Sequence, residues 1–196
     1  WIASSDGLFH FDGEKCYHYG SDQGLSFYIS KIWKDDRSRL WLSSGSELII
    51  LDIKSGLIKI IKQAEGKVQY NFTSLLQGSK DEIWAGTYDD GIYIINENKG
   101  TIKHFTRRHK LSGNNIWSMM KDSKGRIWIG EDFNGVDIID QTNHLIRHCK
   151  DGIFQDNTIY SLFESEPGVI WIGTGEYATV LDMNLNTISH LNNDSG

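Results

Sequence analysis

The chain has 196 residues, with 20 basic and 26 acidic side chains, a net charge of −6 and a pI near 5.6. That length is enough to bury a sizeable core, and a content of 39% hydrophobic and 12% aromatic residues excludes a disordered, solvating polymer. The acidic balance argues against a nucleic-acid binder, and the richest apolar run, Leu48-Ile49-Ile50-Leu51, stops at Asp52, short of the roughly 18 residues of a membrane-spanning helix. One proline stands against 20 glycines, so glycine must make the turns, which points to many short strands. Cys16 and Cys149 allow one disulfide at most and do not fix a redox compartment. The chain opens at Trp1 with no initiator Met, charged leader or apolar leader core, and it reads as a segment of a longer polypeptide.

Along the chain the same short text returns around a tryptophan: Trp1-Ile2-Ala3, Leu40-Trp41-Leu42-Ser43, Ile83-Trp84-Ala85-Gly86-Thr87, Ile127-Trp128-Ile129-Gly130 and Ile170-Trp171-Ile172-Gly173-Thr174. The spacings are 40, 43, 44 and 43 residues, a period that marks a repeat architecture. Before these tryptophans, Ile29, Phe72, Ile116 and Ile159 open an apolar run in phase, and Ile32, Leu75, Met119 and Leu162 continue it. After them Asp12, Asp52, Asn96, Asp140 and Asp182 each close a third run, such as Gly91-Ile92-Tyr93-Ile94-Ile95-Asn96. A fourth run follows at Tyr17-His18-Tyr19, Ile58-Lys59-Ile60, Ile102-Lys103-His104-Phe105, Ile146-Arg147-His148 and Ile188-Ser189-His190.

Each period thus holds four β-branched and aromatic runs bounded by Gly, Asn, Asp and Ser, too short for stable helices and ordinary for strands. The nearly continuous apolar run Ile116-Trp117-Ser118-Met119-Met120 predicts strands buried on both faces. Asp122-Ser123-Lys124-Gly125 predicts a tight turn with Gly125 at positive φ. Four antiparallel strands per repeat, stacked face to face, describe the blades of a β-propeller. Trp1, Trp41, Trp84, Trp128 and Trp171 are then its structural core, each plugging the space between adjacent blades.

The text from Leu111-Ser112-Gly113-Asn114-Asn115 through Asp122-Ser123-Lys124-Gly125 to Ile127-Trp128-Ile129-Gly130 resembles the two-component regulator propeller repeat. Its pattern is a Gly-Leu-Ser-x-Asn loop, an inner strand, an Asp-x-x-Gly turn and then Leu-Trp-Ile-Gly-Thr. Gly24-Leu25-Ser26 and Ile170-Trp171-Ile172-Gly173-Thr174 match parts of it, whereas Gly66 to Gly78 lacks the loop text and the turn Asp, and Ser43-Ser44 replaces Gly-Thr. The expected fold is all-β, a β-propeller of about five four-stranded antiparallel blades over residues 1–196. The repeats are approximately 1–28, 29–71, 72–115, 116–158 and 159–196, an incomplete part of a larger, seven-bladed ring. The first repeat lacks its inner strand. The resemblance implies the periplasmic or extracytoplasmic sensor region of a hybrid histidine kinase/response regulator anchored in the inner membrane. The kinase, receiver and DNA-binding parts would lie elsewhere on the polypeptide.

In an up-and-down blade, the loop leading to the inner strand and the loop between the second and third strands share one face. That face collects Tyr28, Tyr88, Asp89, Asp90, Asn114, Trp117, Asp132, Phe133, Asn157, Tyr160, Glu176 and Tyr177 as candidate ligand-binding residues. Rings beside carboxylates and amides suit an oligosaccharide, whose C–H faces pack on aromatics while its hydroxyls pair with Asp and Asn. Asp90 and Asn134, each followed by glycine, read equally as plain turn residues. Three functions stay open: a non-catalytic sensor responding to glycans, a structural or homodimerising module that touches no ligand, and a propeller lyase or glycosidase using carboxylates such as Asp132 and Glu176. Partners are the remaining blades and neighbouring domains. No cofactor is expected, and no metal, since His104, His148 and His190 fall in outer strands of different blades. Cys16 and Cys149 fall in different repeats and are not expected to bridge.

Overall fold

The computed structural model describes residues 1–25, 28–44, 47–61, 71–140, 144–149, 158–184 and 186–191. The described chain is built from strands, with single 3-10 turns at Ser21–Gln23 and Arg107–His109. Its first sheet comprises β1 (Ile2–Ser4), β2 (Gly7–Phe11) and β3 (Cys16–Tyr19). The second comprises β4 (Lys31–Lys34), β5 (Arg39–Ser44), β6 (Glu47–Asp52) and β7 (Ile58–Ile61). The third comprises β8 (Phe72–Ser79), β9 (Glu82–Thr87), β10 (Ile92–Asn96) and β11 (Thr101–Phe105). The fourth comprises β12 (Ile116–Lys121), β13 (Ile127–Glu131), β14 (Gly135–Ile139) and β15 (Leu145–Cys149). The fifth comprises β16 (Ser161–Glu166), β17 (Val169–Gly173), β18 (Ala178–Asp182) and β19 (Thr187–Leu191). Every sheet is an antiparallel meander in which strand order equals chain order. The all-β propeller-blade fold is therefore what the repeat predicts, down to a first sheet that lacks one strand.

Turn chemistry explains the meanders. After each third strand a side-chain oxygen takes backbone N–H groups of the next residues. Asp12 Oδ1 accepts from Glu14 and Lys15, both at 2.8 Å, Asp52 Oδ1 from Lys54 and Ser55, and Asp182 Oδ1 from Asn184. Such a side chain substitutes for the ladder just where it must end. Gly125, at φ 78°, closes the turn from Asp122, donating its N–H to the Asp122 carbonyl at 2.9 Å.

The chain divides into two compact units, 1–75 and 76–196. In the first, Leu8, Leu25, Ile29, Leu40, Leu42, Ile49 and Leu51 form the core, with Trp1 and Tyr19 packed against it. In the second, Trp84 of the third sheet is buried with Ile116, Met119, Ile127 and Ile129 of the fourth. Trp128 of the fourth is buried with Ile159, Ile170 and Ile172 of the fifth. Trp84 and Trp128 thus each seal their sheet against the next one, burying on the order of 200 Å² of apolar ring. Two members depart from the expected plug. Trp171 is 39% exposed, because among the described residues no further sheet covers its outer side. Trp1 is only half-buried.

A polar latch holds the buried indoles, and it recurs at fixed spacing. Asp35 Oδ2 accepts from Trp41 Nε1 at 3.0 Å and from Arg39 Nε at 2.8 Å. Asp122 Oδ2 accepts from Trp128 Nε1 at 2.8 Å and Arg126 Nε at 2.6 Å. The guanidinium carbons of Arg39 and Arg126 each lie 5.6 Å from the indole centroid two residues on, a cation–π stack. Burial alone would raise both carboxyls; the indole N–H, the backbone N–H of the arginine and its guanidinium outweigh it and hold Asp35 and Asp122 below the ordinary carboxylate range. In the fifth sheet Ser165 takes the same place and accepts from Trp171 Nε1 at 3.1 Å. In the third sheet the place belongs to Gly78, and Trp84 Nε1 is buried with no partner among the described residues. Neighbouring sheets of the second unit are also tied by polar bonds: Lys121 Nζ donates to the Gly78 carbonyl at 2.5 Å, and Glu164 accepts from the N–H and hydroxyl of Ser123.

The histidines of the outer strands each face a third-strand residue. His18 stacks on Phe9 and His104 on Tyr93, His148 Nδ1 lies 2.6 Å from Asp137 Oδ1, and His190 Nδ1 bonds Thr179 Oγ1 at 3.0 Å. Among the described residues no group of three His, Cys, Asp or Glu side chains is placed to hold a metal. Cys16 is exposed and Cys149 buried, and both are free thiols.

Candidate ligand-facing site

The second unit brings the two predicted loop types onto one edge of its sheets. Gly91, after the β9–β10 turn, donates its N–H to the Asn114 carbonyl at 2.8 Å, Asp132 donates to Asn115 at 3.0 Å, and Ile159 donates to Glu131 at 3.0 Å. The loop before each inner strand is therefore bonded to the turn between second and third strands.

On this edge three aromatic rings stand in a row. Trp117 lies 5.4 Å from Tyr88, edge to face, and 5.5 Å from Tyr160. Tyr88 belongs to the third sheet's turn, Trp117 to the fourth sheet's inner strand, and Tyr160 precedes β16 of the fifth. Trp117 owes its place to a β-bulge. The β12–β13 register steps from Ile116↔Glu131 to Ser118↔Gly130, leaving Trp117 outside the ladder. A bulge re-aims one side chain without ending the strand. This corrects the expectation that the run 116–120 is uniformly buried: Trp117 and Ser118 are only half-buried. Phe133, in the next turn, is 70% exposed and holds φ 56° without being glycine. That left-handed conformation is costly for a bulky residue. Its N–H donates to Thr158 Oγ1 at 3.3 Å, and the Thr158 hydroxyl donates to Asp132 Oδ1 at 3.1 Å. Thr158, which pins this turn, carries no sequence signal that would have singled it out.

The polar candidates divide by what already binds them. Asp90 donates its backbone N–H to Thr87 Oγ1 at 3.0 Å, accepts the Tyr93 hydroxyl on its carboxylate, and faces His104 Nε2 at 3.3 Å. Asn114 Oδ1 accepts from the Arg107 N–H at 2.9 Å. Asp132 is engaged by Thr158 and Asn115. These three side chains hold the loops in shape. Asp89 and Glu176 are exposed, and Tyr177, half-buried, closes a turn on Thr174. Tyr28 is exposed in the first unit, and Asn157 lies outside the described residues.

Behind the row sits a buried acidic cluster. Asp137 accepts from the Ser112 N–H and hydroxyl, both at 2.8 Å, and from His148 Nδ1. The Glu131 carboxyl is fully buried against Gly113, where a Cβ would come within 2.8 Å of Oε2. Burial and then the Asp137 charge push Glu131 up to about 9, so it stays protonated at neutral pH. Ser112 and Asp137 both lie 2.6 Å from the same ring nitrogen of His148. Ser112 Oγ also lies 3.3 Å from Nε2 of that ring, and through Asp137 and His148 the cluster ties the loop 111–115 to the sheet.

The loop, inner strand, Asp122 turn and Trp128 latch form one structural unit, and the sequence of that unit matches a family model. Residues 110–132 and 153–176 match the two component regulator propeller model. These two stretches are similar to two-component regulator propeller repeats. The repeats explain the order of parts just described: buried Leu111, the loop, β12, the Asp122–Gly125 turn, then Trp128. No curated protein matches the chain significantly in sequence. Solved structures share the fold. The extracellular domain of BT4673 from B. thetaiotaomicron, described once as a one-component and once as a hybrid two-component system, superposes with TM-scores of 0.78 and 0.75 at 17% and 22% identity, over 98% and 96% of this chain. That of BT3049, described as a hybrid two-component system of the same organism, gives 0.79 at 18% identity over 96%. The chain spans 25–29% of the length of these structures.

Proposed function

We propose that the chain is a segment of the extracytoplasmic sensor region of an inner-membrane two-component regulator, and that its aromatic edge binds an oligosaccharide without turning it over. The observation that carries this reading is the row Tyr88–Trp117–Tyr160, with Trp117 set into it by a bulge. Three rings at 5.4 and 5.5 Å centroid spacing offer a continuous apolar strip, and Phe133 projects beside it at a conformational cost that packing does not recover. Rings on such a strip stack on sugar C–H faces, and the exposed Asp89 and Glu176 carboxylates can accept hydroxyl bonds. The two-component regulator propeller repeats, and the extracellular domains that share the fold, support a sensory role.

The test is calorimetric titration of the complete extracellular region with a panel of oligosaccharides. Wild type is expected to bind one class, and Tyr88→Ala with Phe133→Ala to weaken binding about tenfold or more, with Tm within about 2 °C of wild type. Absence of binding across the panel, or binding untouched by the double substitution, contradicts the reading. Self-association that vanishes in the same variant would favour the homodimerising alternative.

A further inference from the structure

On the opposite edge of the second unit, at the seam between the third and fourth sheets, the latch is incomplete. A cavity of about 210 Å³ is lined by Gly78, Ser79, Glu82, Trp84, Lys121 and residues of the fourth-sheet turn. Trp84 is 2% exposed, and its indole N–H has no acceptor among the described residues. In the second and fourth sheets the corresponding N–H is bound by the carboxylates of Asp35 and Asp122, each also held by a cation, Arg39 or Arg126. In the third sheet the carboxylate position is Gly78 and the arginine position is Glu82. The cation is supplied from the neighbouring sheet by Lys121, whose ammonium donates to the Gly78 carbonyl at 2.5 Å. A Cβ at Gly78 would collide with the Trp84 indole nitrogen, so the chain cannot supply an acceptor from this position.

We propose that this seam binds the carboxylate of a small organic acid, which takes the Trp84 indole N–H and the Lys121 ammonium as Asp35 and Asp122 take theirs. The observations agree on the chemistry. A buried, unpartnered N–H wants an acceptor, an ammonium at the mouth favours an anion, and the two complete latches show that a carboxylate fits an indole and a cation together. Glu82, whose Oε2 accepts from the Ser79 hydroxyl at 3.3 Å, adds a carboxylate to the lining and disfavours dianions. The site lies away from the aromatic edge and does not depend on the oligosaccharide reading.

The test is a two-dimensional ¹H–¹⁵N spectrum of the complete extracellular region, following the indole resonances during titration with sodium acetate. Sodium chloride and acetamide are the controls, and Trp84→Phe assigns the line. The Trp84 line is expected to shift saturably with acetate alone while those of Trp41 and Trp128 stay in place. Lys121→Met is expected to weaken acetate about tenfold or more, and Glu82→Gln, which removes the like charge, to tighten it. A Trp84 line that does not move, that moves equally with chloride or acetamide, or that responds identically in Lys121→Met and Glu82→Gln overturns the proposal.

Discussion

Asp122→Ala removes the acceptor on which the fourth sheet's latch converges. Asp122 receives Trp128 Nε1 at 2.8 Å, Arg126 Nε at 2.6 Å, the Arg126 N–H at 2.8 Å and the Lys124 N–H at 3.0 Å. The losses are unequal. The indole is 1% exposed, so its orphaned N–H costs about 1–3 kcal/mol. The guanidinium keeps 24% exposure and recovers water, so its share is about 1 kcal/mol. The two turn N–H groups lie in a part-buried turn and add a smaller share. The expected loss is about 2–4 kcal/mol by urea unfolding, a fall in Tm of roughly 4–16 °C for a chain of this size. Because the folded carboxyl lies below its ordinary value, this stabilisation is present above the unfolded pKa of 3.8 and fades as pH falls through the folded one. Wild type and variant should converge in strong acid. A loss under about 0.5 kcal/mol at pH 7, or a difference independent of acidity, would refute the latch as the element that holds the indole.

Trp128→Ala should cost about 3–5 kcal/mol in the same assay and Trp171→Ala only about 1 kcal/mol, because only the first is sealed under a following sheet; equal losses would contradict this. Lys110 sits at φ 76° where Gly24 holds φ 81° before the equivalent buried leucine. Lys110→Gly should therefore stabilise by about 1 kcal/mol in urea unfolding, through relief of the left-handed backbone. Glu131, raised to about 9 from 4.5, keeps its proton in the folded state after the unfolded chain has lost it. Stability should fall as pH rises through that window, and Glu131→Gln should flatten the slope of unfolding free energy against pH; an unchanged slope would show that another group titrates.

The period of the tryptophans and the Gly, Asn and Asp punctuation made the strand meanders legible, because turn chemistry and apolar runs are local properties. The face shared by Tyr88, Trp117 and Tyr160 was legible too, since strand alternation alone puts those loops on one edge. The bulge at Trp117 was not, because Ile116-Trp117-Ser118 reads as an ordinary strand and only the pairing with β13 displaces one residue. Nor was the latch, in which residues four and six positions after Asp122 converge on it through the geometry of a turn. The candidate carboxylates looked alike in sequence; Asp90 and Asp132 differ from Asp89 only in the hydroxyls and imidazole that the fold brings to them. Trp171 matched its repeat fully and still lies open, because burial of an indole here depends on the sheet after it.

The most direct test of the proposed recognition surface is to map backbone amide shifts of the protein on adding an oligosaccharide that binds it. The account predicts perturbations clustered at Tyr88, Trp117, Phe133 and Tyr160, with the opposite turn at Ser123 and Lys124 silent. Shifts confined to that turn, or to the outer strand β11, would contradict it.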